Sequence, residues 1–278
     1  MLKTRIATAI LLFAAFFCAL FFLPPLGWTG VTALVAAVAF WEWGALMKQP
    51  GPNRVVLGVV MIALCSGIGL MFPSALGLDG YSSEAAWHVG RWLYLPAGVF
   101  WLLVVPFWLR CRWALQNPIA GCLTGVIVIL PTWLALVQLR QLGGVPLAAI
   151  MAVVWLADIA AYFSGRAFGR HKLAPTISPG KTWEGAVGGA LAVVLYGLLL
   201  APRLPQVLAE NLLLLTFVLL ILAAISVVGD LFESMLKRQA GMKDSSNVLP
   251  GHGGILDRID SLTSTLPLVS LVWIGNYF

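Results

Sequence analysis

Long apolar segments without charged residues recur along the whole chain and are separated by short polar stretches. Most of these segments approach the roughly 20 residues that an α-helix needs to cross a lipid bilayer. Because a lipid-exposed backbone has no water to satisfy its hydrogen bonds, each spanning segment must be helical. The pattern predicts an all-α polytopic membrane protein with eight or nine transmembrane helices. The nine candidate segments are residues 6–23, 28–47, 55–73, 92–109, 118–139, 145–163, 185–201, 211–229 and 259–277.

Composition agrees with this pattern. Of the 278 residues, 60% are hydrophobic and only 10% are charged, whereas a soluble domain carries about a quarter charged residues. The first segment is too long for the apolar part of a signal peptide and lacks a small-residue cleavage site, so we expect a retained helix. Only Pro24-Pro25-Leu26-Gly27 separates it from the second segment. The two segments therefore form either a tight hairpin or a partly inserted pair.

The distribution of basic residues predicts the orientation. If the N-terminus lies inside and nine helices alternate, all but three of the 17 Lys and Arg residues fall on the inner side. Such an excess is typical of cytoplasmic loops, so we expect a cytoplasmic N-terminus. The net charge of +6 then follows from topology and suits anionic lipid headgroups, and it needs no nucleic acid. The three outer basic residues are Arg91, Arg140 and Arg203.

The two halves of the chain differ in their polar content. Residues 1–143 are expected to be a transmembrane scaffold with dimer and lipid contacts. Residues 144–278 are expected to be the catalytic half, with polar cytoplasmic-side loops at 164–184 and 230–258. Most acidic residues fall on this inner side, and those left for the outside are Asp79, Glu84 and Glu210.

Glu42 is an acidic residue near the inner end of the second segment. A carboxylate at this depth is costly unless it is paired or hydrated. One interpretation is an interfacial ion pair with Lys48 or Arg54. The alternative is a role in helix contact or substrate entry.

A polar stripe marks the end of the eighth segment. If the helix continues past the membrane, Asp230, Glu233, Ser234 and Lys237 share one face at spacings i, i+3, i+4 and i+7. Carboxylates bind hard cations, and an ammonium group binds phosphate oxygens. This face therefore suits a metal-bound phosphate.

A second stripe opens the ninth segment, where Asp257, Asp260, Ser261 and Ser264 have the same spacing. Residues 250–254 (PGHGG) precede it as a glycine-rich turn into a helix N-terminus. Glycines permit close backbone approach, and the exposed N–H groups of such a turn attract anions. The turn therefore suits an anionic substrate.

The two stripes together predict more than either alone. Antiparallel helices can bring Asp230 and Asp257 around a divalent ion, and two adjacent carboxylates repel each other without a cation. Taken singly, each residue could be an ordinary loop charge or a helix cap, and Asp257 could pair with Arg258. Two matched stripes around one glycine turn favour a functional site.

The loop at 164–184 contains Gly180-Lys181-Thr182, which is similar to the end of a P-loop. A P-loop requires a glycine where Pro175 stands and a preceding strand, so a Walker motif is excluded. Asp158 is an ionisable residue within the sixth segment and is a functional candidate for that reason. The candidates for phosphate contact in this loop are Arg166, Ser178, Lys181 and Thr182.

These motifs resemble a known family. Residues 234–238, 243–244 and 249–260 closely resemble the signature of the phosphatidate cytidylyltransferases, the CDP-diacylglycerol synthases. Residues 178–185 (SPGKTWEG) resemble the upstream motif of the family. Residues 1–3 and 41–44 resemble bacterial members, so the resemblance covers essentially the whole chain.

The resemblance implies that CTP and phosphatidate give CDP-diacylglycerol and pyrophosphate in phospholipid biosynthesis. It also implies a requirement for Mg²⁺, with a second monovalent or divalent cation left open. It further implies a homodimer in the bacterial cytoplasmic (inner) membrane, with the active-site loops cytoplasmic, and a paired-metal site at Asp230 and Asp257.

Specific roles can be assigned as a hypothesis on this basis, in which His252 positions rather than catalyses. The expected catalytic residues are Asp230, Asp257, Lys237 and Asp260. The expected substrate-binding residues are Asp158, Arg166, Ser178, Lys181, Thr182, Glu184, Ser234, Arg238, Lys243, His252, Gly253, Gly254 and Arg258.

Two rival functions remain at this level. A CTP-using lipid kinase or another CDP-lipid synthase would use similar carboxylates and bases, and the fate of the α- and γ-phosphates of CTP separates a kinase from a cytidylyltransferase. A transporter with a cytoplasmic anion gate would place charges near the bilayer midplane, whereas these lie at inner helix ends. The chain also shows no internal repeat of the kind common in transporters.

Overall fold

The computed structural model describes residues 2–80 and 87–275. Glu84 in the predicted outer loop and the end of the predicted ninth segment at 276–277 lie outside the described residues.

Helices make up most of the described chain, as predicted. Leu2–Phe22 and Pro25–Leu46 are separate helices, and Pro25 occupies the first turn of the second helix, where its missing N–H costs nothing. The helices are α1 (Leu2–Phe22), α2 (Pro25–Leu46), α3 (Gly51–Met71), α4 (Arg91–Val99), α5 (Val105–Cys111), α6 (Pro118–Arg140), α7 (Gly144–Phe168), α8 (Trp183–Leu200), α9 (Gln206–Glu210), α10 (Leu212–Ala240) and α11 (Leu256–Gly275).

Within the described residues, 7 helices are long and apolar enough to cross a membrane. One of them is a continuous segment in which a π-helical turn at Phe100–Val104 joins α4 to α5. Two further helices complete the predicted set of nine: α1, whose apolar part is Thr8–Phe22, and α11, whose first turns carry charged residues. The all-α polytopic class is confirmed, and the count of eight or nine is approximate.

The polar loop at 164–184 contains a feature that was not predicted, a two-stranded antiparallel hairpin. Its strands are β1 (Lys172–Ala174) and β2 (Ser178–Thr182), with Lys172 opposite Thr182 and Ala174 opposite Ser178. These short sequences lack the alternation of apolar and polar residues that marks a strand. The formation of the hairpin therefore depends on tertiary contacts and not on a local sequence pattern.

Helix α10 is longer than the membrane-spanning segment predicted for it. It continues to Ala240, and α11 begins at Leu256, so the irregular part of the predicted loop at 230–258 is only residues 241–255. The continuation places the predicted polar stripe on a real helix. Residues 230–240 are helical instead of loop.

Aromatic packing fixes the side of α10 that faces away from the stripe. The Phe232 ring is buried, and its centroid lies 5.4–5.7 Å from those of Phe100, Trp101 and Trp108 and 6.4 Å from that of Trp43. Aromatic pairs at such separations stabilise beyond their buried area. This cluster turns the opposite face of α10, with its carboxylates, toward α7, α8 and α11.

Small residues allow the helices around this face to approach closely. A Cβ on Gly189 would lie 2.8 Å from the Ala157 carbonyl oxygen, and one on Gly185 would lie 2.8 Å from that of Ala161, so α7 and α8 pack backbone against backbone. A Cβ on Gly229 would lie 2.5 Å from Ser264 Oγ, which brings α10 against α11. Such contacts are typical of membrane helix pairs.

Candidate functional site

A cavity of about 640 Å³ lies between α7, the hairpin, α8, α10 and α11. This volume is typical of small-molecule sites. Its charged end is built from both predicted polar regions, which the fold brings together although they are separate in sequence. The polar residues that line it are Asp158, Tyr162, Arg166, Ser178, Lys181, Thr182, Asp230, Asp257, Arg258 and Asp260.

The wall of the cavity that runs into the helices is apolar and built from small residues. These residues precede Arg166 on α7 and Asp230 on α10 and follow the hairpin on α8, so the wall extends toward the middle of the spans, with Asp158 of α7 beside it. One cavity therefore offers a charged end and an apolar groove. The residues of this wall are Ala157, Ala161, Gly185, Ala186, Gly189, Ala190, Ala223 and Val227.

The hairpin contributes a cation to the carboxylates of α10. Lys181 Nζ lies 2.5 Å from Asp230 Oδ2, and Ser234 Oγ donates to Asp230 Oδ1 over 3.1 Å. The Lys181 and Asp230 side chains are 24% and 28% exposed, so both remain open to the cavity. A phosphate bound beside Asp230 would lie within reach of the same ammonium group.

Lys237 lies between two carboxylates, one on α10 and one on α11. Its Nζ donates to Glu233 Oε2 over 2.8 Å and to Asp257 Oδ1 over 2.6 Å, and its side chain is only 12% exposed. It does not line the cavity. Lys237 therefore neutralises two buried carboxylates and ties α10 to α11, and its assignment as a catalytic residue stays a prediction.

Asp257 organises the glycine-rich turn. Its Oδ2 atom accepts hydrogen bonds from Ser245 N at 2.9 Å, Ser245 Oγ at 2.9 Å and Gly254 N at 2.8 Å. A carboxylate that bonds back to the N–H three residues earlier is half of a capping box. The Gly254 N–H thus donates to a protein carboxylate, and the role of Gly254 in substrate binding stays a prediction.

Glu42 holds the same turn from the opposite side. Its carboxylate is fully buried and accepts from Ser246 Oγ at 2.5 Å, Ile255 N at 3.0 Å and Leu256 N at 2.6 Å. Ser245 Oγ lies 3.2 Å away and completes the set. Helix contact, the predicted alternative for Glu42, is what the structure shows.

The predicted ion pair of Glu42 is wrong. Within the described part of the chain, neither Lys48 nor Arg54 forms a salt bridge with it. The Arg54 guanidinium instead lies 3.8 Å above the Trp41 ring and donates to the Trp41 carbonyl. The Glu42 carboxylate is too deeply buried to reach these basic residues, because it points into the packed helices and away from the membrane–water interface.

The hairpin is fixed to α8 by two of the predicted residues. Thr182 Oγ1 accepts from Gly185 N at 3.1 Å and caps the helix. Glu184 Oε1 lies 2.7 Å from His171 Nδ1 and accepts from the His171 N–H at 3.2 Å. The Thr182 hydroxyl and the Glu184 carboxylate are thereby occupied in local structure, although Thr182 also lines the cavity.

The remaining predicted residues lie around the turn. Arg258 lines the cavity and donates through Nε and Nη2 to the His252 carbonyl oxygen, an arrangement that orients its guanidinium. Arg238 and Lys243 are exposed. The predicted site residues that do not line the cavity are Glu184, Ser234, Lys237, Arg238, Lys243, His252, Gly253 and Gly254.

The carboxylates of the cavity fit Mg²⁺ chemically. Mg²⁺ takes oxygen ligands and is usually held by one or two carboxylates together with water and substrate phosphates, not by an all-protein cage. Within residues 2–80 and 87–275, no group of three or more His, Cys, Asp or Glu side chains is close enough to hold a metal ion by itself. Asp230 and Asp257 line the same cavity and are of the right ligand type. Both oxygens of Asp257 already accept hydrogen bonds, from Lys237, Ser245 and Gly254, so a cation at Asp257 would have to displace one of these donors.

Fold and site together define the class: an integral membrane protein of packed helices with a cavity suited to phosphates and a hard cation. The sequence model of the cytidylyltransferase family matches residues 3–274. The chain therefore belongs to the cytidylyltransferase family and is a membrane nucleotidyltransferase.

Curated relatives are similar to this chain in sequence. The chain is 36% identical over 289 residues to a phosphatidate cytidylyltransferase of Haemophilus influenzae, covering 97% of this chain and 98% of the relative. It is 38% identical over 285 residues to a protein of the same name from Pseudomonas aeruginosa, covering 100% and 99%. A third relative with that name, from Brucella suis, is 50% identical over 129 residues, which is 46% of this chain and 47% of the relative.

Proposed function

We propose that this protein transfers the cytidylyl group of CTP to phosphatidate and releases CDP-diacylglycerol and pyrophosphate in phospholipid biosynthesis. The observation that carries the proposal is the cavity that joins a charged end to an apolar groove between α7, α8 and α10. An amphiphilic substrate can place its phosphate among the charges while its glycerol and acyl carbons lie against small apolar residues. The names of the full-length relatives support the same substrates.

In this reaction a phosphate oxygen of phosphatidate attacks the α-phosphorus of CTP. A new P–O bond forms, the bond from the α-phosphorus to the bridging oxygen breaks, and pyrophosphate takes that electron pair. A phosphate monoester carries about −1.5 to −2 charges at neutral pH, so the nucleophile needs no strong general base. Catalysis then consists of positioning and of neutralising charge.

The residues of the cavity divide between these two tasks. Asp230 and Asp257 would hold Mg²⁺, with Asp260 beside them. When bound, the ion offsets the negative charge that three phosphates and the lipid phosphate bring together. Lys181 and Arg258 supply the protein cations at the same end of the cavity.

Arg166, Ser178 and Asp158 would complete the substrate pocket. Each lies on α7 or the hairpin and lines the cavity opposite α10 and α11. Their position allows contact with a substrate that is held between the hairpin and the helix ends. We include them as substrate-binding residues on that ground.

Localisation and assembly are also part of the proposal. The basic residues support a bacterial cytoplasmic membrane location with the N-terminus and the cavity on the cytoplasmic side. Labelling of single cysteines introduced at residues 172 and 206 would test this, since the two positions lie at opposite ends of α8. The family resemblance supports a homodimer, which the mass of the detergent-solubilised protein measured by light scattering would test.

The reaction itself is tested with detergent-solubilised protein and CTP labelled at either the α- or the γ-phosphate. We expect label from the α-phosphate to enter the lipid when phosphatidate and Mg²⁺ are present, and no incorporation when either is left out. Diacylglycerol as the sole lipid should accept no label. Transfer of the γ-label would identify a lipid kinase and refute the proposal, as would the absence of any product.

A further inference from the structure

We propose that Glu42 is a positioning residue for the active site, acting from the N-terminal half of the chain on the turn that carries Asp257. This inference rests on the proposed function, which assigns Asp257 to the reaction. Glu42 touches no part of the cavity. It acts through the backbone and the serines of the turn, which lie at least 203 residues away in sequence.

The Glu42 carboxylate is buried and fully hydrogen-bonded by one segment of chain. The segment offers it the Ser246 hydroxyl and two backbone N–H groups, and the two N–H donors open helix α11. The single hydroxyl proton of Ser245 lies between Glu42 and Asp257 and can be donated to either carboxylate. A negative charge at a helix N-terminus is favourable because of the helix dipole. Hydrogen bonds to an ionised acceptor are also the stronger kind. The arrangement therefore fixes where α11 begins.

Ser245 connects this anchor to Asp257. Its hydroxyl lies 3.2 Å from Glu42 Oε2 and 2.9 Å from Asp257 Oδ2, and its backbone N–H also donates to Asp257. Gly254 is enclosed between the same groups, because a Cβ there would lie 2.5 Å from Glu42 Oε1. The Glu42 and Asp257 carboxylates thus both contact Ser245, and they hold the turn from opposite sides.

This arrangement makes Glu42 more than a packing residue. The turn from residues 241 to 255 has no regular helix or strand. Its backbone bonds to itself at Leu249, His252 and Gly253, and the side-chain contacts of Glu42 and Asp257 attach it to the helices. A small displacement of a group that contacts the reacting atoms can slow a reaction about 100-fold. Loss of the Glu42 contacts should therefore displace Asp257 and slow turnover in molecules that remain folded.

The test compares E42Q, E42A and S246A with the wild type in purified full-length protein. Glutamine keeps one acceptor oxygen and alanine removes both. S246A removes the hydrogen bond from Ser246 Oγ to Glu42 and the one that Ser246 Oγ accepts from Val248 N, without touching Asp257. Amide hydrogen exchange of peptides covering residues 245–258 reports the turn independently of activity. Glu210→Gln is the matched control, since Glu210 is an exposed acid whose carboxylate accepts from Gln206, far from the turn in sequence.

We expect exchange in residues 245–258 to rise at least tenfold in E42A and less in E42Q, with the peptides of α7 and α8 unchanged. We expect kcat per folded molecule to fall about 100-fold in E42A and about tenfold in E42Q, with a smaller change in S246A. If E42A does not fold, E42Q and S246A decide the question.

Two results would overturn the inference. One is unchanged exchange with kcat within twofold of the wild type. The other is faster exchange with unchanged kcat per folded molecule, which would reduce Glu42 to a structural role. Inactivity of the wild type itself with CTP and phosphatidate would instead refute the proposed function, and the exchange data would still show whether Glu42 orders the turn.

Discussion

Replacing Lys237 by methionine should destabilise the protein strongly although Lys237 lies outside the cavity. The ammonium group is the shared partner of Glu233 and Asp257, whose side chains are each only 5% exposed. Within the described residues, the other Glu233 oxygen, Oε1, is buried and has no hydrogen-bond donor. Methionine fills similar space but leaves two buried carboxylates facing each other without a cation.

Removing one partner of a buried ion pair costs about 3–5 kcal/mol. For a chain of this size, 1 kcal/mol corresponds to roughly 2–3 °C in Tm, so we expect the Tm of Lys237→Met in detergent to fall by about 6–15 °C. Lys172→Met is the control, because Lys172 is exposed on β1 and should shift Tm by less than about 2 °C. A Tm for Lys237→Met equal to that of the control would refute the reasoning.

A double-mutant cycle separates charge from packing in this prediction. Adding Glu233→Gln to Lys237→Met removes one of the two stranded charges, so the double variant should recover part of the lost stability. Groups in direct contact commonly show interaction energies of about 0.5–3 kcal/mol. Strictly additive effects would mean that lost packing, and not the unpaired carboxylate, destabilises the single variant.

Three further predictions concern the cavity and its walls. Asp257→Asn should reduce turnover to background in molecules that stay folded and membrane-inserted, with a lower Tm because Lys237 loses one of its two carboxylates; near-normal CDP-lipid synthesis would contradict the metal assignment. Lys181→Ala should raise the KM for CTP or phosphatidate at least several-fold with a loss of stability below about 1 kcal/mol, and unchanged kcat and KM would place the hairpin outside the site. Gly229→Ala should lower Tm by several degrees, because the added Cβ would lie 2.5 Å from Ser264 Oγ. Gly67→Ala is the control and should leave Tm unchanged, because a Cβ there meets nothing within 4 Å. Equal Tm values for the two variants would argue against close packing of α10 and α11.

The helical class, the order of the segments and the polar face of α10 could all be predicted from the sequence. They follow from apolar length and from a 3.6-residue period, both of which are local properties. Local sequence patterns also predict Asp230, Lys181 and Asp257 as site residues, and the fold places all three around one cavity. The hairpin was missed because its strands carry no periodic signal.

Partners within the site could not be predicted in the same way. Lys237 has the residue type of a phosphate ligand, yet the packing of α10 on α11 gives it two carboxylates instead. Glu42 was noted as costly at its depth, but the pattern offered only nearby basic residues as partners. Its donors lie on a turn more than 200 residues away.

The sequence by itself determined that this chain crosses a membrane repeatedly and gathers its acidic and basic groups at one set of helix ends. It did so because burial in lipid constrains every spanning segment separately. Only the tertiary structure decided which carboxylates face the cavity and which form ion pairs and hydrogen bonds that hold the helices together. The difference depends on how closely the helices approach one another. Gly229, Gly185 and Gly189 permit this close approach, and the sequence of a single segment does not specify it.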